Sequence, residues 1–210
     1  MSVEAVILDV DGTLVLLPIN WDHVMRIIAE EKCSAQTFLG FVAKCFGTES
    51  FWRVHEFVKR LELEAVEKMV VLDNSPEVMK RLCRSYRVAL VTMQSMEAAK
   101  AVVSKLGLDN CVEVVISREY ARNRVEQVAK AIKLLGVEPS KTLFIGDKVL
   151  DGFAAYANGV RGVVIMRGNI CTKVSDTDLI DEDLDALGVV VVRSLWEAIE
   201  VAERFGLIRL

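Results

Sequence analysis

The chain has 210 residues, 52% hydrophobic and 27% charged, with only 3 prolines, a composition that excludes disorder as the main state. Its 26 basic and 30 acidic residues leave a formal net charge of -4, so it has no broad positive field to capture nucleic acid or anionic lipid, and neither is expected as a partner. Apolar runs are short and broken by charge, none approaching the roughly 20 residues of a bilayer span, and the start Met1-Ser2-Val3-Glu4 lacks the basic, then apolar pattern of a leader. No membrane association and a cytoplasmic location are therefore expected.

Short β-branched runs recur along the chain: Val3 to Val10, Arg87 to Thr92, Val112 to Ile116, Thr142 to Ile145, Gly162 to Ile165 and Val189 to Val192. Near-continuous apolarity, rather than alternation, predicts strands buried on both faces. The intervening segments carry helical spacing, so the expected fold class is α/β, a parallel sheet sandwiched by helices. Ser75-Pro76-Glu77 reads as an N-cap, a first-turn proline and an early acid, while Ser194 with Glu197 reads as a capping box. Glycines in Lys105-Leu106-Gly107 and Leu134-Leu135-Gly136 mark helix ends.

The interval from about Leu16 to Asn74 is too long for one crossover helix and contains no convincing strand. Its apolar and aromatic residues, such as Val24, Ile27 and Ile28, then Phe38, Phe41 and Val42, recur three and four apart. A small helical domain over 16–74 is expected, inserted into a core made of 1–15 and 75–210. Short segments near Leu16 to Pro18 and Asn74 to Pro76 would hinge it as a lid. The acidic stretch Asp176 to Asp185 reads as a solvated loop and short helix.

Several chemistries are excluded by what the sequence lacks. The five cysteines, Cys33, Cys45, Cys83, Cys111 and Cys171, form an odd, widely spaced set without a CxxC pair, which argues against a disulfide framework and a zinc cluster and predicts buried thiols. No cysteine has arginine six positions later, so the thiolate loop of cysteine phosphatases is missing. His23 and His55 are too few for a multi-histidine metal site and read as ordinary helix residues. Neither a GxxxxGK[ST] loop nor a GxGxxG turn is present.

Carboxylates remain. The first strand ends in Asp9-Val10-Asp11-Gly12-Thr13, where two acids two residues apart point to the same side of an extended chain and repel each other unless a cation or proton intervenes. Gly12 then allows a sharp turn. A second pair, Asp147 and Asp151 in Gly146-Asp147-Lys148-Val149-Leu150-Asp151, follows another strand. In an open parallel sheet the crevice lies beyond the carboxyl ends of the strands, where Asp9, Asp11, Thr92 and Asp147 all fall. Acids gathered there suit Mg²⁺, a hard ion that prefers oxygen ligands.

On these motifs the sequence resembles the haloacid dehalogenase-like hydrolase superfamily across essentially the whole chain. Asp9-Val10-Asp11-Gly12-Thr13 matches its first motif, Thr92 its second, and Gly146-Asp147 with Asp151 its fourth. The resemblance implies a Rossmann-like core with a helical cap after the first strand, as in phosphoglycolate phosphatase-like members, and Mg²⁺-dependent phosphoryl transfer. It implies Asp9 as nucleophile, Asp11 as general acid and base, and Thr92 as donor to the phosphoryl oxygens. Asp9, Asp147 and the backbone carbonyl of Asp11 would hold Mg²⁺, with Asp151 acting through water or outer bonds. The second acid, Asp11, favours a phosphate ester over a haloacid.

The family's third motif, usually a lysine, is absent from Ser117-Arg118-Glu119-Tyr120-Ala121-Arg122-Asn123-Arg124-Val125, and Met93-Gln94 replace the asparagine that commonly follows the second. Arg124 stands nearest the expected cation and Lys148 is its rival. Were Asp147 and Asp151 on one helical face, Lys148 would point about 100° away from it, so Arg124 is the expected substrate-binding cation. The expected activity is hydrolysis of a small phosphorylated metabolite through an aspartyl-phosphate. The rivals are a phosphomutase using the same intermediate and a weak or inactive member serving as a phospholigand sensor or protein partner. Substrate identity and oligomeric state are not legible.

Overall fold

In a computed structural model of the chain, residues 3–165 and 177–209 are described. Six parallel strands form one sheet: β1 (Ala5–Asp9), β4 (Arg87–Val91), β5 (Val114–Ile116), β6 (Thr142–Gly146), β7 (Arg161–Ile165) and β8 (Val190–Val192), in spatial order β5-β4-β1-β6-β7-β8. Each coincides with an expected apolar run. β1 is buried along its whole length, because helices cover both sides of the sheet.

Alternation within β1 divides the core. Val6 and Leu8 join one cluster with Met79 and Leu82 of α4 (Ser75–Ser85) and with Ala198 and Ile199 of α9 (Leu195–Arg204). Ala5 and Ile7 join the opposite cluster with Val128 and Ala131 of α6 (Arg124–Leu135) and Ala154 and Ala155 of α7 (Val149–Ala157). Chain order reverses at β1: β4 and β5 build outward on one side, β6 to β8 on the other. In register, Asp9 pairs with Val91, the residue before Thr92, and Leu8 pairs with Ile145, two residues before Asp147. The topology alone therefore gathers the motif residues at one edge.

Between β2 (Val15–Leu16) and β3 (Val70–Val71) lie α1 (Trp21–Ala29), α2 (Phe38–Cys45) and α3 (Glu49–Val66). Their apolar faces close on a cluster of their own that includes Val24, Ile28, Phe41, Val42, Phe51, Val54 and Val58. Asn20, Thr37 and Thr48 cap the three helices, each side chain accepting from the backbone N–H three residues on. β2 and β3 pair antiparallel at the root of the insertion, where the sequence showed no strand; two residues carry no readable period.

Two further expectations are corrected. Ser75 is the first residue of α4 rather than its cap; Asn74, in a left-handed conformation, precedes it, and the Ser75 hydroxyl donates to Leu14 O at 2.7 Å. The cysteines are not all thiols, because Cys33 pairs with Cys45 and Cys83 with Cys111. The partners stand 12 and 28 residues apart, a spacing that shows no pattern until the fold brings them together. Cys171 and Asp176 lie outside the described residues; α8 (Thr177–Ala186) carries the rest of the acidic stretch. Closing a loop of this size contributes on the order of 3 kcal/mol. A Cys33→Ser/Cys45→Ser variant should therefore melt roughly 6–12 °C lower by calorimetry.

Arg118, immediately after Ser117 at the end of β5, is fully buried and ties the sheet to the insertion. Its guanidinium pairs with Glu62 of α3, donates to His55 Nδ1 at 3.1 Å and to Met93 O at 2.8 Å, and lies 5.7 Å from the Phe38 ring centroid. The second Glu62 oxygen accepts from Ser95 N at 2.9 Å. Burial, then the Arg118 charge, lowers the His55 pKa, leaving a neutral ring that can accept from arginine. Among the described residues no helix is long and apolar enough to cross a membrane.

Candidate active site

β1 stops at Asp9 because the chain must turn. Gly12 has φ of +90°, and a Cβ there would lie 2.1 Å from Asp147 Oδ2, so both its conformation and its neighbour exclude a side chain. The turn closes through Gly12 N to Val15 O at 2.7 Å and Leu14 N to Val10 O at 2.9 Å. It directs Asp11 toward the same cavity as Asp9, with Asp11 Oδ1 accepting from Leu17 N at 2.8 Å. Burial pushes the Asp11 pKa up to about 6, opposed by the Leu17 N–H and the Lys148 charge.

On the other side, Asp147 follows β6 and Asp151 occupies the first turn of α7. Gly146 is required here too, since a Cβ would lie 2.3 Å from Asp151 Oδ2. Oxygens of Asp9, Asp147 and Asp151 lie within 4.8 Å of one another, all three residues buried. Burial pushes the Asp147 pKa up to about 8, and the neighbouring Asp9 and Asp151 charges reinforce the shift against Lys148. The Asp151 pKa is also raised by burial, against the lowering effect of Arg124.

Arg124 is the keystone of the cluster. The first residue of α6, capped by the Asn123 side chain, it reaches over β1 with Nη2 2.8 Å from Asp9 Oδ1 and Nε 2.8 Å from Asp151 Oδ1. Gln127, three residues on, accepts from Arg124 Nη1 at 2.9 Å and donates to Thr92 O at 2.6 Å. One side chain thus joins Arg124 to the end of β4. Nothing in the motif pattern marked Gln127, although an i, i+3 partner of Arg124 on a helix is where a positioning residue would sit.

Lys148 does not point aside. It precedes α7 in an extended conformation, so the helical rotation assumed for it does not apply, and its Nζ lies 3.4 Å from Asp147 Oδ1. Asp151 Oδ2 accepts from Lys148 N at 3.0 Å. Asp151 Oδ2 is thereby held by a backbone donor, and Asp151 Oδ1 is left to its ion pair with Arg124.

These groups form the floor of a cavity of about 490 Å³: Asp9, Asp11, Thr92, Arg124, Lys148 and Asp151. Thr92 is buried at the end of β4, where its Oγ1 accepts from Gln94 N at 3.1 Å. An all-oxygen donor set of three buried acids crowded within 4.8 Å, whose mutual repulsion a cation would relieve, has the chemistry of a hard divalent cation site. Facing this floor, the insertion and β2 supply the walls.

The family model for haloacid dehalogenase-like hydrolases matches residues 3–159. Pyrophosphatase PpaX of Bacillus mycoides (strain KBAB4) is 20% identical over 192 residues, covering 79% of this chain and 84% of its own. A hydrolase of Pseudomonas syringae has a similar fold, with a TM-score of 0.71 at 18% identity over 96% of this chain and 98% of its own. A predicted phosphoglycolate phosphatase of Haemophilus somnus 129PT aligns with a TM-score of 0.65 at 18% identity, covering 96% and 99%. With the match spanning both carboxylate pairs and the strands that carry them, the chain belongs to the haloacid dehalogenase-like hydrolase family.

Proposed function

We propose that the protein hydrolyses a small phosphate monoester by transferring the phosphoryl group to Asp9 and then to water. The observation that carries this reading is the pairing of buried Asp9 with Arg124 at the floor of a cavity, beside Asp11 and Thr92. The named relatives, a pyrophosphatase and a predicted phosphoglycolate phosphatase, agree with phosphate chemistry.

Asp9 attacks phosphorus, and the ester oxygen departs with a proton from Asp11, whose raised pKa suits a donor near neutral pH. Asp11, now a base, takes a proton from the water that attacks the acyl phosphate, releasing phosphate and restoring both carboxyls. Thr92 donates to the phosphoryl oxygens. Arg124 holds the Asp9 carboxylate in line and presents fixed positive charge to the group in transit. Asp9, Asp147 and the backbone carbonyl of Asp11 would hold Mg²⁺, which when bound neutralises charge that would otherwise repel the attacking carboxylate. Asp151 orients the set through Arg124 and the Lys148 backbone.

A panel of phosphate esters assayed with Mg²⁺ and with excess chelator tests this reading; turnover with Mg²⁺ and none with chelator is expected. Silence across the panel would turn the reading toward a phospholigand sensor. Arg124→Ala should lower kcat/KM at least tenfold, about 1.4 kcal/mol of transition-state binding, with partial rescue in Arg124→Lys. Lys148→Ala should cost less, because Lys148 contacts Asp147 rather than the nucleophile. Steady-state kinetics giving the reverse order would move the family's lysine to position 148.

A further inference from the structure

The walls of the cavity are unlike its floor. Leu17, Ile19, Trp21, Phe38, Leu39 and Leu150 line it. The Trp21 and Phe38 rings lie 5.1 Å apart, tilted by 43°, and the Cys33–Cys45 disulfide closes the segment that carries Phe38 and Leu39. Among the described residues, the cations lining the cavity are Arg124 and Lys148, both on the floor and both facing carboxylates. The insertion contributes one charged lining group, Glu62, and Arg118 engages it from behind. A carboxylate or second phosphate on the leaving group would lose water against these walls without gaining a cation from the described residues.

Gln94 adds a second constraint. It lines the cavity at 4% exposure, and neither its side-chain nitrogen nor its oxygen has a hydrogen-bond partner among the described residues. A buried amide left with both groups unpaired is costly, and a ligand that donates and accepts removes that cost.

Resting on the phosphohydrolase reading above, we infer that the leaving group is an uncharged, largely apolar alcohol of at least aromatic-ring size, carrying a neutral amide or hydroxyl that pairs with Gln94. Such a body fills a cavity of this size and polarity, while the phosphoryl group meets the charged floor. Substrates that are anionic at both ends are disfavoured by the same walls.

The test uses the Mg²⁺-loaded enzyme on benzyl phosphate, 4-carbamoylbenzyl phosphate and 4-carboxybenzyl phosphate, whose leaving alcohols are similar in acidity, with acetyl phosphate as a minimal activated substrate. The carbamoyl ester should be used best and the carboxylate ester at least tenfold worse than benzyl phosphate in kcat/KM, mainly through KM. Leu39→Lys should narrow the gap between the carboxylate and benzyl esters. Gln94→Leu should erase the advantage of the carbamoyl ester over the benzyl ester. A carboxylate ester used as well as the benzyl ester, no use of any benzyl ester, or an unchanged carbamoyl advantage in Gln94→Leu would overturn the inference. Turnover of acetyl phosphate in those cases would leave the hydrolase reading standing; no turnover of acetyl phosphate or any ester would remove both.

Discussion

Asp9→Asn is expected to lower kcat/KM roughly ten-thousandfold or more while leaving the fold intact. An amide does not attack phosphorus, so what remains is whatever the rest of the site achieves with water as nucleophile. The fold should survive because Arg124 keeps its contact with Asp151. One negative charge also leaves a cluster in which Asp9, Asp147 and Asp151 crowd within 4.8 Å. Calorimetry on the metal-free variant should give a melting temperature equal to or above that of the parent protein. Residual turnover within tenfold of the parent, measured on several esters, would remove Asp9 from the nucleophile's role.

The largest loss of stability is expected away from the chemistry, at Arg118. Arg118→Ala leaves Glu62 buried at 1% exposure, with one backbone N–H against its charge. Breaking such a pair costs about 3–5 kcal/mol, which for a chain of this length is roughly 6–20 °C in Tm. An Arg118→Leu/Glu62→Leu double variant should recover much of that loss, because a buried pair replaced by apolar groups leaves no stranded charge. If the single variant melted within 2 °C of the parent, by an order-of-magnitude reckoning from the same scale, the pair would not be what fastens insertion to core.

The six strands were legible because each is a short apolar run whose burial on both faces leaves no other assignment. The floor of the site was legible for a related reason. Asp9, Asp11, Thr92 and Asp147 each follow a strand, and a parallel sheet delivers strand ends to one edge whatever the detailed packing. Arg124 was reached by its place soon after β5, and as the first residue of α6 it is brought to Asp9.

What escaped was the part that depends on distant partners or on exact conformation. Arg118 is 63 residues from His55 and 56 from Glu62 in sequence and meets them only once the insertion is seated. The disulfides escaped likewise. Lys148 was misplaced because α7 starts one residue after it: with Asp147 and Lys148 outside the helix, the side chain expected to point aside faces Asp147. Gln94 could be seen only as a departure from a motif; the burial of its side-chain amide without a partner among the described residues is a property of the folded cavity.

The central claim is that phosphate passes through a covalent bond to Asp9, and stereochemistry at phosphorus tests it most directly. Hydrolysis of a phosphorothioate ester made chiral at phosphorus with two oxygen isotopes, in water carrying the third, followed by configurational analysis of the released thiophosphate, counts the displacements. Two in-line steps, first to Asp9 and then to water, predict overall retention of configuration. Inversion would mean that water attacks the ester directly, and Asp9 would then be no nucleophile.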